Sequence, residues 1–201
     1  MVYHIHPQNP QKRVMDEVAR GISQGKIYII PTDTVYAFVT TLENKKAIEK
    51  LYSLKEIPAT KPLSLYCKDF SQASEYIRLE DNRIFRWMKA NLPGPYTLVF
   101  SAARSMPQYT LSKQKTVGIR IVDHPVVQEL NQRLQFPLIG SSVMTEEEYI
   151  TNPDDLEELY DKKVDGILNC GIIVEELSTI LDVREYPPVL IRQGKGQIES
   201  V

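Results

Sequence analysis

The chain has 201 residues and a formal net charge of -2, and 42% of its residues are hydrophobic and 25% are charged. This balance is typical of a folded globular protein and excludes the disordered and fibrous classes. No stretch approaches the ~18 uninterrupted apolar residues of a membrane-spanning helix, and the N-terminus lacks the apolar core of a secretion signal. We therefore expect a cytoplasmic protein without a membrane partner.

Cysteine and histidine spacing gives no sign of a metal site. Cys67 and Cys170 are far apart in the sequence, and neither has a close partner that could help to hold zinc or exchange disulfides. His4 and His6 lie close together only in the N-terminal tail, where rigid ligands are rare, and His124 is distant from both. We predict two buried thiols, no metal site and no tightly bound cofactor.

The predicted elements in the first part of the chain are two helices with a strand between them. The first helix begins near Asn9 and Pro10 and ends at Gly25, and the strand "KIYII" follows. The second helix begins at Asn44, and Lys55 continues its apolar face. Further helices are predicted at "FSQASEYIRL", "DNRIFRWMKAN", "HPVVQELNQRLQ" and "NPDDLEELYDKK", and further strands at "PLSLYC", "TLVFSA", "TVGIRIV" and "PLIGSSV".

Three late strand candidates, "DGILNC", "STILDV" and "PPVLIRQG", follow one another without helices between them. Interleaved strands and helices indicate an α/β fold, and the late strands favour a mixed sheet over a purely parallel one. No composition break divides the chain. We predict a single domain over residues 1–201, with no additional C-terminal domain.

The stretch "IIPTDTVYAF" is the first candidate site, because an apolar strand stops at Pro31 and small polar residues follow. Thr32, Asp33 and Thr34 would place two hydroxyls and a carboxylate at a strand end, where α/β sheets gather ligands, and Tyr36 could add an aromatic wall. A plain turn, with these side chains bonded to neighbouring backbone, explains the same residues. Taken by itself the stretch leaves both interpretations open.

Six further segments follow it in a recognisable order: "LYSLKEIPATKPLSLY", "LPGPYTLVF", "TVGIRIVDHPVV", "PLIGSSVMT", "STILDV" and "VLIRQGKG". Together these segments, from about residue 25 to residue 196, resemble the YrdC/YciO-like domain family, whose best-known members are threonylcarbamoyl-AMP synthases. The resemblance implies a twisted, open, mixed α/β sheet of the YrdC/YciO type around a concave, partly basic cavity.

The resemblance also implies a reaction. Synthases of this family join L-threonine, bicarbonate and ATP, supplied with Mg²⁺ as a substrate, into threonylcarbamoyl-adenylate and release pyrophosphate. The threonylcarbamoyl group then modifies an adenosine of certain transfer RNAs, and some members have been linked to double-stranded RNA binding. These are the expected partners of this chain.

Site residues carried over from the family fall into three groups. Lys55 and Ser142 are the expected catalytic residues, although Lys55 could equally cap a helix end. L-threonine is expected at Thr32, Thr34 and Tyr36. The nucleotide is expected at Lys55, Lys61, Thr97, Ser141, Ser142, Ser178 and Arg192. Ser178 and Thr179 could instead bond across the sheet.

Three positions depart from the synthase pattern. Ile57 stands where the family has the arginine of Lys-x-Arg, and Met144 where it has the asparagine of Ser-x-Asn. Ala37 replaces a usual glycine, as expected of the YciO branch. Losing one transition-state donor can slow a reaction about 10²- to 10³-fold, so two losses could silence the synthase. We therefore carry two hypotheses, a nucleotidyltransferase with reduced or altered activity and a non-catalytic nucleotide or RNA binding module.

Basic residues are concentrated between residues 104 and 120, where no acidic residue occurs. If the protein binds RNA, the expected contacts are Arg104, Lys113, Lys115 and Lys195, together with Lys55 and Lys61.

Two other residues of the segment "TVGIRIVDHPVV" have simpler interpretations. Arg120 is expected to be an exposed strand arginine, and His124 to cap the helix that begins at Pro125.

Overall fold

A computed structural model describes residues 1–58, 61–110, 114–144, 149–173 and 176–198. Its helices are α1 (Lys12–Ser23), α2 (Lys45–Lys55), α3 (Phe70–Ser74), α4 (Asn82–Asn91), α5 (Pro125–Arg133) and α6 (Pro153–Tyr160). Its strands are β1 (Val2–His4), β2 (Tyr28–Ile30), β3 (Ala37–Thr41), β4 (Ser64–Tyr66), β5 (Ile77–Arg78), β6 (Tyr96–Ala102), β7 (Thr116–Arg120), β8 (Leu138–Ser142), β9 (Gly166–Asn169), β10 (Thr179–Asp182) and β11 (Val189–Arg192).

The strands form one open sheet in the order β1-β9-β2-β3-β8-β4-β7-β6-β10-β11, with β5 paired to β6. Parallel pairs join β9 to β1 and β2, β4 to β7, and β6 to β10, whereas the remaining pairs are antiparallel. The mixed, open α/β sheet expected from the sequence is therefore confirmed.

Two hydrophobic clusters lie on opposite faces of this sheet, because side chains alternate along each strand. Ile29 and Phe38 belong to the cluster under α2, α4 and α6, whereas Ile30 and Val39 belong to the cluster under α1 and α5. Each large apolar side chain that is fully buried here contributes about 1.5 to 3 kcal/mol. The central strands are thus covered on both sides and form a rigid base for the loops at their ends.

The start of α2 follows the sequence prediction, since the Asn44 side chain accepts a hydrogen bond from the backbone N–H of Ala47 at 3.0 Å. The predicted helix "FSQASEYIRL" is wrong in its second half. It stops at Ser74, and Ile77 then pairs with Ala102 of β6 as a short strand. Pairing with a distant strand has overridden local helical preference.

The first helix begins at Lys12, two residues later than Pro10, and β1 precedes it as a strand that pairs with β9. The sequence prediction assigned no strand to this N-terminal segment. Among the helices of the described ranges, none has both the length and the apolar character needed to cross a bilayer.

Candidate functional site

The turn after β2 is the centre of the candidate site. Thr32 and Thr34 are both buried, and their hydroxyls lie 3.0 Å apart. The Thr32 hydroxyl donates to the backbone carbonyl of Val35 at 2.6 Å and accepts from the backbone N–H of Thr34 at 3.1 Å. These side chains therefore shape the turn, which accords with the turn interpretation of the sequence.

A buried ion pair joins this turn to β7. Arg120 Nη2 donates to Asp33 Oδ1 at 2.6 Å, and the two side chains are only 3% and 7% exposed. Arg120 Nη2 also donates to the Thr34 hydroxyl at 3.1 Å, and Asp33 Oδ2 accepts from the backbone N–H of Asp123 at 3.1 Å. A buried guanidinium needs such partners, because an unpaired charge is costly away from water.

The expectation that Arg120 is an exposed strand arginine is therefore wrong. Its guanidinium also lies over the ring of Tyr66, its register partner on β4, at 5.4 Å from the ring centroid. Within the described residues, Arg120 Nε has no hydrogen-bond partner. The signal available in the sequence was a single cation inside the apolar run "TVGIRIV".

The contact between Asp33 and Arg120 shows how the turn is folded. Strands β3 and β7 are separated by β8 and β4, which corresponds to about 14 Å across a flat sheet. The turn must therefore lie over the face of the sheet that carries the Arg120 side chain. Lys195 Nζ donates to the backbone carbonyl of Asp33 at 3.0 Å and so brings the C-terminal segment to the same place.

A cavity of about 660 Å³ opens beside this turn, a volume within the usual range for small-molecule sites. Its lining includes Thr32, Asp33, Tyr96, His124, Cys170 and Lys195. His124 caps α5 as predicted, with Nδ1 accepting from the backbone N–H of Val126 at 3.2 Å. Burial lowers the pKa of His124, while the carboxylates of Asp33 and Asp123 act in the opposite direction.

Tyr36 lies in the core on the α2 face of the sheet. Its hydroxyl donates to the backbone carbonyl of Gly171 at 2.7 Å and accepts from the backbone N–H of Cys170 at 3.1 Å. Burial raises the pKa of Tyr36 to about 12, so the phenol stays neutral. The residue thus positions the segment after β9, from which Cys170 lines the cavity.

A second group of predicted residues meets where α2 ends against β8. Lys55 Nζ donates to the Ser141 hydroxyl at 2.8 Å and to the backbone carbonyl of Ser142 at 2.6 Å. Burial lowers the pKa of Lys55 to about 8, and repulsion from the nearby Lys61 contributes. The structure therefore brings Lys55, Ser141 and Ser142 together. Lys61 lies close enough to Lys55 for the two positive charges to repel each other.

The three departures from the synthase pattern have different surroundings. Ile57 is half-buried and packs against the core on the α2 face. Met144 is 40% exposed, and its backbone forms an isolated antiparallel β-bridge with Tyr149. Ala37 lies in β3, paired with Ile30 on one side and Ser142 on the other. An extended strand accommodates alanine, so the backbone there does not require glycine.

A third group joins β6, β10 and β11. The hydroxyls of Thr97 and Ser178 lie 2.8 Å apart, and Arg192 Nη2 donates to the Ser178 carbonyl at 2.7 Å. Burial lowers the pKa of Arg192, and repulsion from Arg120 contributes, so the two guanidinium groups act on each other electrostatically. The bond to Thr97 agrees with the interpretation that Ser178 bonds across the sheet.

Gly118 packs closely against its neighbours in the sheet. A Cβ added at Gly118 would lie 3.1 Å from the Ser64 hydroxyl and 3.3 Å from Thr97 Cγ2. The space beside Gly118 is therefore already filled by these side chains.

Three of the residues expected to bind RNA, which the structure describes, lie at two different ends of β6. Arg104 and Lys115 are exposed and lie near Ala102, the last residue of β6. The Ala102 N–H donates to the Lys115 carbonyl at 2.9 Å. Lys195 lies towards the other end, where the Tyr96 hydroxyl donates to the Gln197 carbonyl. Seven strand residues span about 20 Å. Lys113 lies outside the described residues.

No group of three or more His, Cys, Asp or Glu side chains is placed to bind a metal ion within the described ranges.

Comparison with known proteins gives the family. Residues 20–194 match the model of the Sua5/YciO/YrdC family, described as "Telomere recombination". YciO of Escherichia coli strain K12 is 32% identical over 200 residues, which cover 98% of this chain and 97% of YciO. The crystal structure of E. coli YciO superimposes with a TM-score of 0.92 and 31% identity, over 98% of this chain and 97% of that one.

A threonylcarbamoyl-AMP synthase of Pyrococcus abyssi is 28% identical over 189 residues, which cover 92% of this chain and 55% of the synthase. The P. abyssi Sua5 structure complexed with L-threonine shares the fold, with a TM-score of 0.90 and 24% identity over 96% of this chain and 57% of that one. With the full-length match to YciO, these likenesses show that the chain belongs to the Sua5/YciO/YrdC family.

Proposed function

We propose that this protein binds L-threonine in the cavity beside the Thr32–Asp33–Thr34 turn and the phosphates of ATP at the Lys55, Ser141 and Ser142 cluster, and that it forms threonylcarbamoyl-adenylate slowly. The observation that carries the proposal is the Lys55 ammonium, held between Ser141 and Ser142 with a second cation, Lys61, nearby. Similarity to a P. abyssi threonylcarbamoyl-AMP synthase supports the assignment of the substrates.

The proposed chemistry brings two anions together. Threonylcarbamate forms from L-threonine and bicarbonate with loss of water, and an oxygen of its carbamate group attacks the α-phosphorus of ATP. The bond from that phosphorus to the bridging oxygen breaks, and pyrophosphate leaves with Mg²⁺. Fixed cations stabilise the charge that develops on the phosphates, and Lys55 with Arg192 would supply them here. Thr32 and Lys195, which line the cavity, would face the amino acid.

A second candidate function is ligand binding without the chemical step, and the surroundings of Ile57 and Met144 favour it. Neither side chain offers a hydrogen-bond donor, and Ile57 packs against the core instead. Losing two donors at about 10²- to 10³-fold each would reduce adenylate formation to a negligible rate. The protein would then hold nucleotide, or RNA, in the same cavity.

The test is pyrophosphate release by the purified protein with ATP, Mg²⁺, bicarbonate and L-threonine, alongside equilibrium binding of ATP. We compare the native protein with Lys55→Ala, with an Ile57→Arg, Met144→Asn double variant, and with Lys45→Ala. Lys45 is an exposed lysine of the same helix, so its substitution controls for general loss of charge.

Turnover that disappears in Lys55→Ala but persists in Lys45→Ala would establish the synthase. ATP binding without native turnover, combined with activity in the double variant, would establish the binding function. Absence of both ATP binding and turnover in every variant would contradict both proposals.

A further inference from the structure

The contact between Lys55 and Ser141 has a chemical capacity that phosphate binding does not use. Lys55 Nζ lies 2.8 Å from the Ser141 hydroxyl oxygen, which is within the distance for proton transfer between a nucleophile and its base. Lys55 ends α2, and Ser141 lies next to the last residue of β8. Both residues are partly exposed, so a small reagent can approach them.

The backbone carbonyl of Ser142 fixes the orientation of the lysine, because its oxygen lies 2.6 Å from Lys55 Nζ. A neutral amine has two N–H bonds and one lone pair. It can therefore donate to this carbonyl while its lone pair accepts the proton of the Ser141 hydroxyl. A nucleophile, a base and a third group that orients the base are the parts that enzymes with covalent acyl intermediates share.

The surroundings of Lys55 make its neutral form accessible. Burial lowers the pKa of Lys55 to about 8, and repulsion from Lys61 acts in the same direction. Lys61 is itself exposed, as is Glu56, the next residue after Lys55. At pH 8 about half of the Lys55 side chains are therefore neutral and can accept a proton.

We propose that Ser141 is a nucleophile with Lys55 as its general base, and that the pair hydrolyses small acyl phosphates through an acyl-serine intermediate. The charge of Lys61 favours this class of substrate, because a cation beside the reacting groups stabilises the departing phosphate. The reaction uses neither ATP nor L-threonine, so it does not depend on the function proposed above.

The reaction has two steps. In the first, the Ser141 oxygen forms a bond to the carbonyl carbon of the acyl phosphate, and its proton passes to Lys55 Nζ. The bond from that carbon to the phosphate oxygen breaks, and inorganic phosphate leaves. In the second, water attacks the same carbon, the Ser141 oxygen leaves with the proton held by Lys55, and a carboxylic acid is released.

The test measures phosphate release from acetyl phosphate by the purified full chain between pH 6 and 10, above the background without protein. We expect the rate to rise with pH and to reach half of its maximum near pH 8, because Lys55 must be neutral to accept the proton. Phenylmethylsulfonyl fluoride forms a stable ester with activated serines. Mass spectrometry of the labelled protein should place this adduct on Ser141.

Three variants assign the roles. Ser141→Ala removes the nucleophile, and Lys55→Arg keeps a positive charge that cannot act as a base in this pH range. Each should lower phosphate release about 10²-fold and prevent labelling. Ser53→Ala removes an exposed hydroxyl from the same helix and should release phosphate at the native rate.

Labelling of Ser142 or of lysines in place of Ser141 would overturn the proposal. Native rates in Lys55→Arg would also overturn it, because a positive charge alone would then explain the activity. If neither variant folds, as judged by circular dichroism, the labelled residue and the pH profile of the native protein decide. Absence of both phosphate release and labelling would overturn this proposal and leave the synthase proposal untouched, since neither measurement involves ATP.

Discussion

At the scale of single residues, Arg120 shows which part of the site could not be predicted. The sequence places one cation in an apolar strand, and its simpler interpretation there was an exposed side chain. The partner is Asp33, which is 87 positions earlier, and only the folded sheet brings the two residues together. Lys55, by contrast, could be placed from the helical periodicity of α2 and from the family resemblance.

Replacing Arg120 with methionine should destabilise the fold by about 3 to 5 kcal/mol, because Asp33 would remain buried without its partner. The free energy of unfolding, measured with urea, is the readout. An Asp33→Asn, Arg120→Met double variant removes both charges and should recover part of that loss. If the double variant were less stable than Arg120→Met, the unpaired carboxylate would not be the cause.

The Lys55 environment predicts a pH dependence for ATP binding. The pKa of Lys55 is lowered to about 8 by burial and by Lys61, so the ammonium is charged below that pH and loses its proton above it. ATP affinity should therefore be highest below pH 8 and fall as the pH rises from 8 to 10. Equilibrium titrations with ATP at constant ionic strength measure this.

Lys55→Arg is the matched control for the pH experiment, because the guanidinium stays charged throughout the range. Its ATP affinity should change little between pH 8 and 10. A fall of the same size in both proteins would assign the pH dependence to another group.

At the scale of elements, local signals predicted most helices and strands, but they did not predict the central strand β3 or the edge strand β1. Asn44 marks the start of α2, and the apolar residues of "TVGIRIV" and "PLIGSSV" mark β7 and β8. The prediction was wrong at β5, whose strand character comes from pairing with β6. Short strands of this kind owe their structure to a neighbour and carry little signal of their own.

Gly140 tests the pairing of β3 with β8, on which the position of Ser141 depends. A Cβ at residue 140 would lie 2.0 Å from the backbone carbonyl oxygen of Phe38, which cannot rotate away. We expect Gly140→Ala to destabilise the protein by about 1 to 3 kcal/mol, the usual range for overpacking. Thermal unfolding monitored by circular dichroism measures the effect.

Gly118→Ala is the comparison, since its Cβ would lie 3.1 Å from the Ser64 hydroxyl, a side-chain atom that can move slightly. Its destabilisation should be the smaller of the two. An equal loss of stability in both variants would mean that the β3–β8 contact tolerates an added Cβ no less well than the contact between Gly118 and Ser64.

At the scale of the whole molecule, the site combines residues from both ends of the sequence. The mixed sheet could be predicted from the order of elements, and the family from seven segments. The sequence could not predict that Arg104 and Lys115 lie about one strand length from Lys195. That distance depends on how β6 and the C-terminal segment meet. Charge counts along the sequence do not show this separation.

If RNA binds at the exposed end of β6, its affinity should fall steeply with salt, and an Arg104→Gln, Lys115→Gln double variant should lower the logarithmic salt slope by about two. Filter binding of double-stranded RNA between 50 and 200 mM KCl measures the slope. Lys45→Gln with Lys46→Gln removes the same charge from α2 and should leave the slope unchanged. A slope that does not respond to the Arg104 and Lys115 changes would place any RNA elsewhere.

The contact between Lys195 and Asp33 has a consequence for the order of events on the ribosome. Residues 1–173 include β2, β3, β4, β7 and β8, so the buried pair of Asp33 and Arg120 can form on a nascent chain. Ser178, Arg192 and Lys195 are synthesised after them. A ligand whose binding depends on Ser178, Arg192 or Lys195 would therefore stabilise the fold only after these residues have been synthesised.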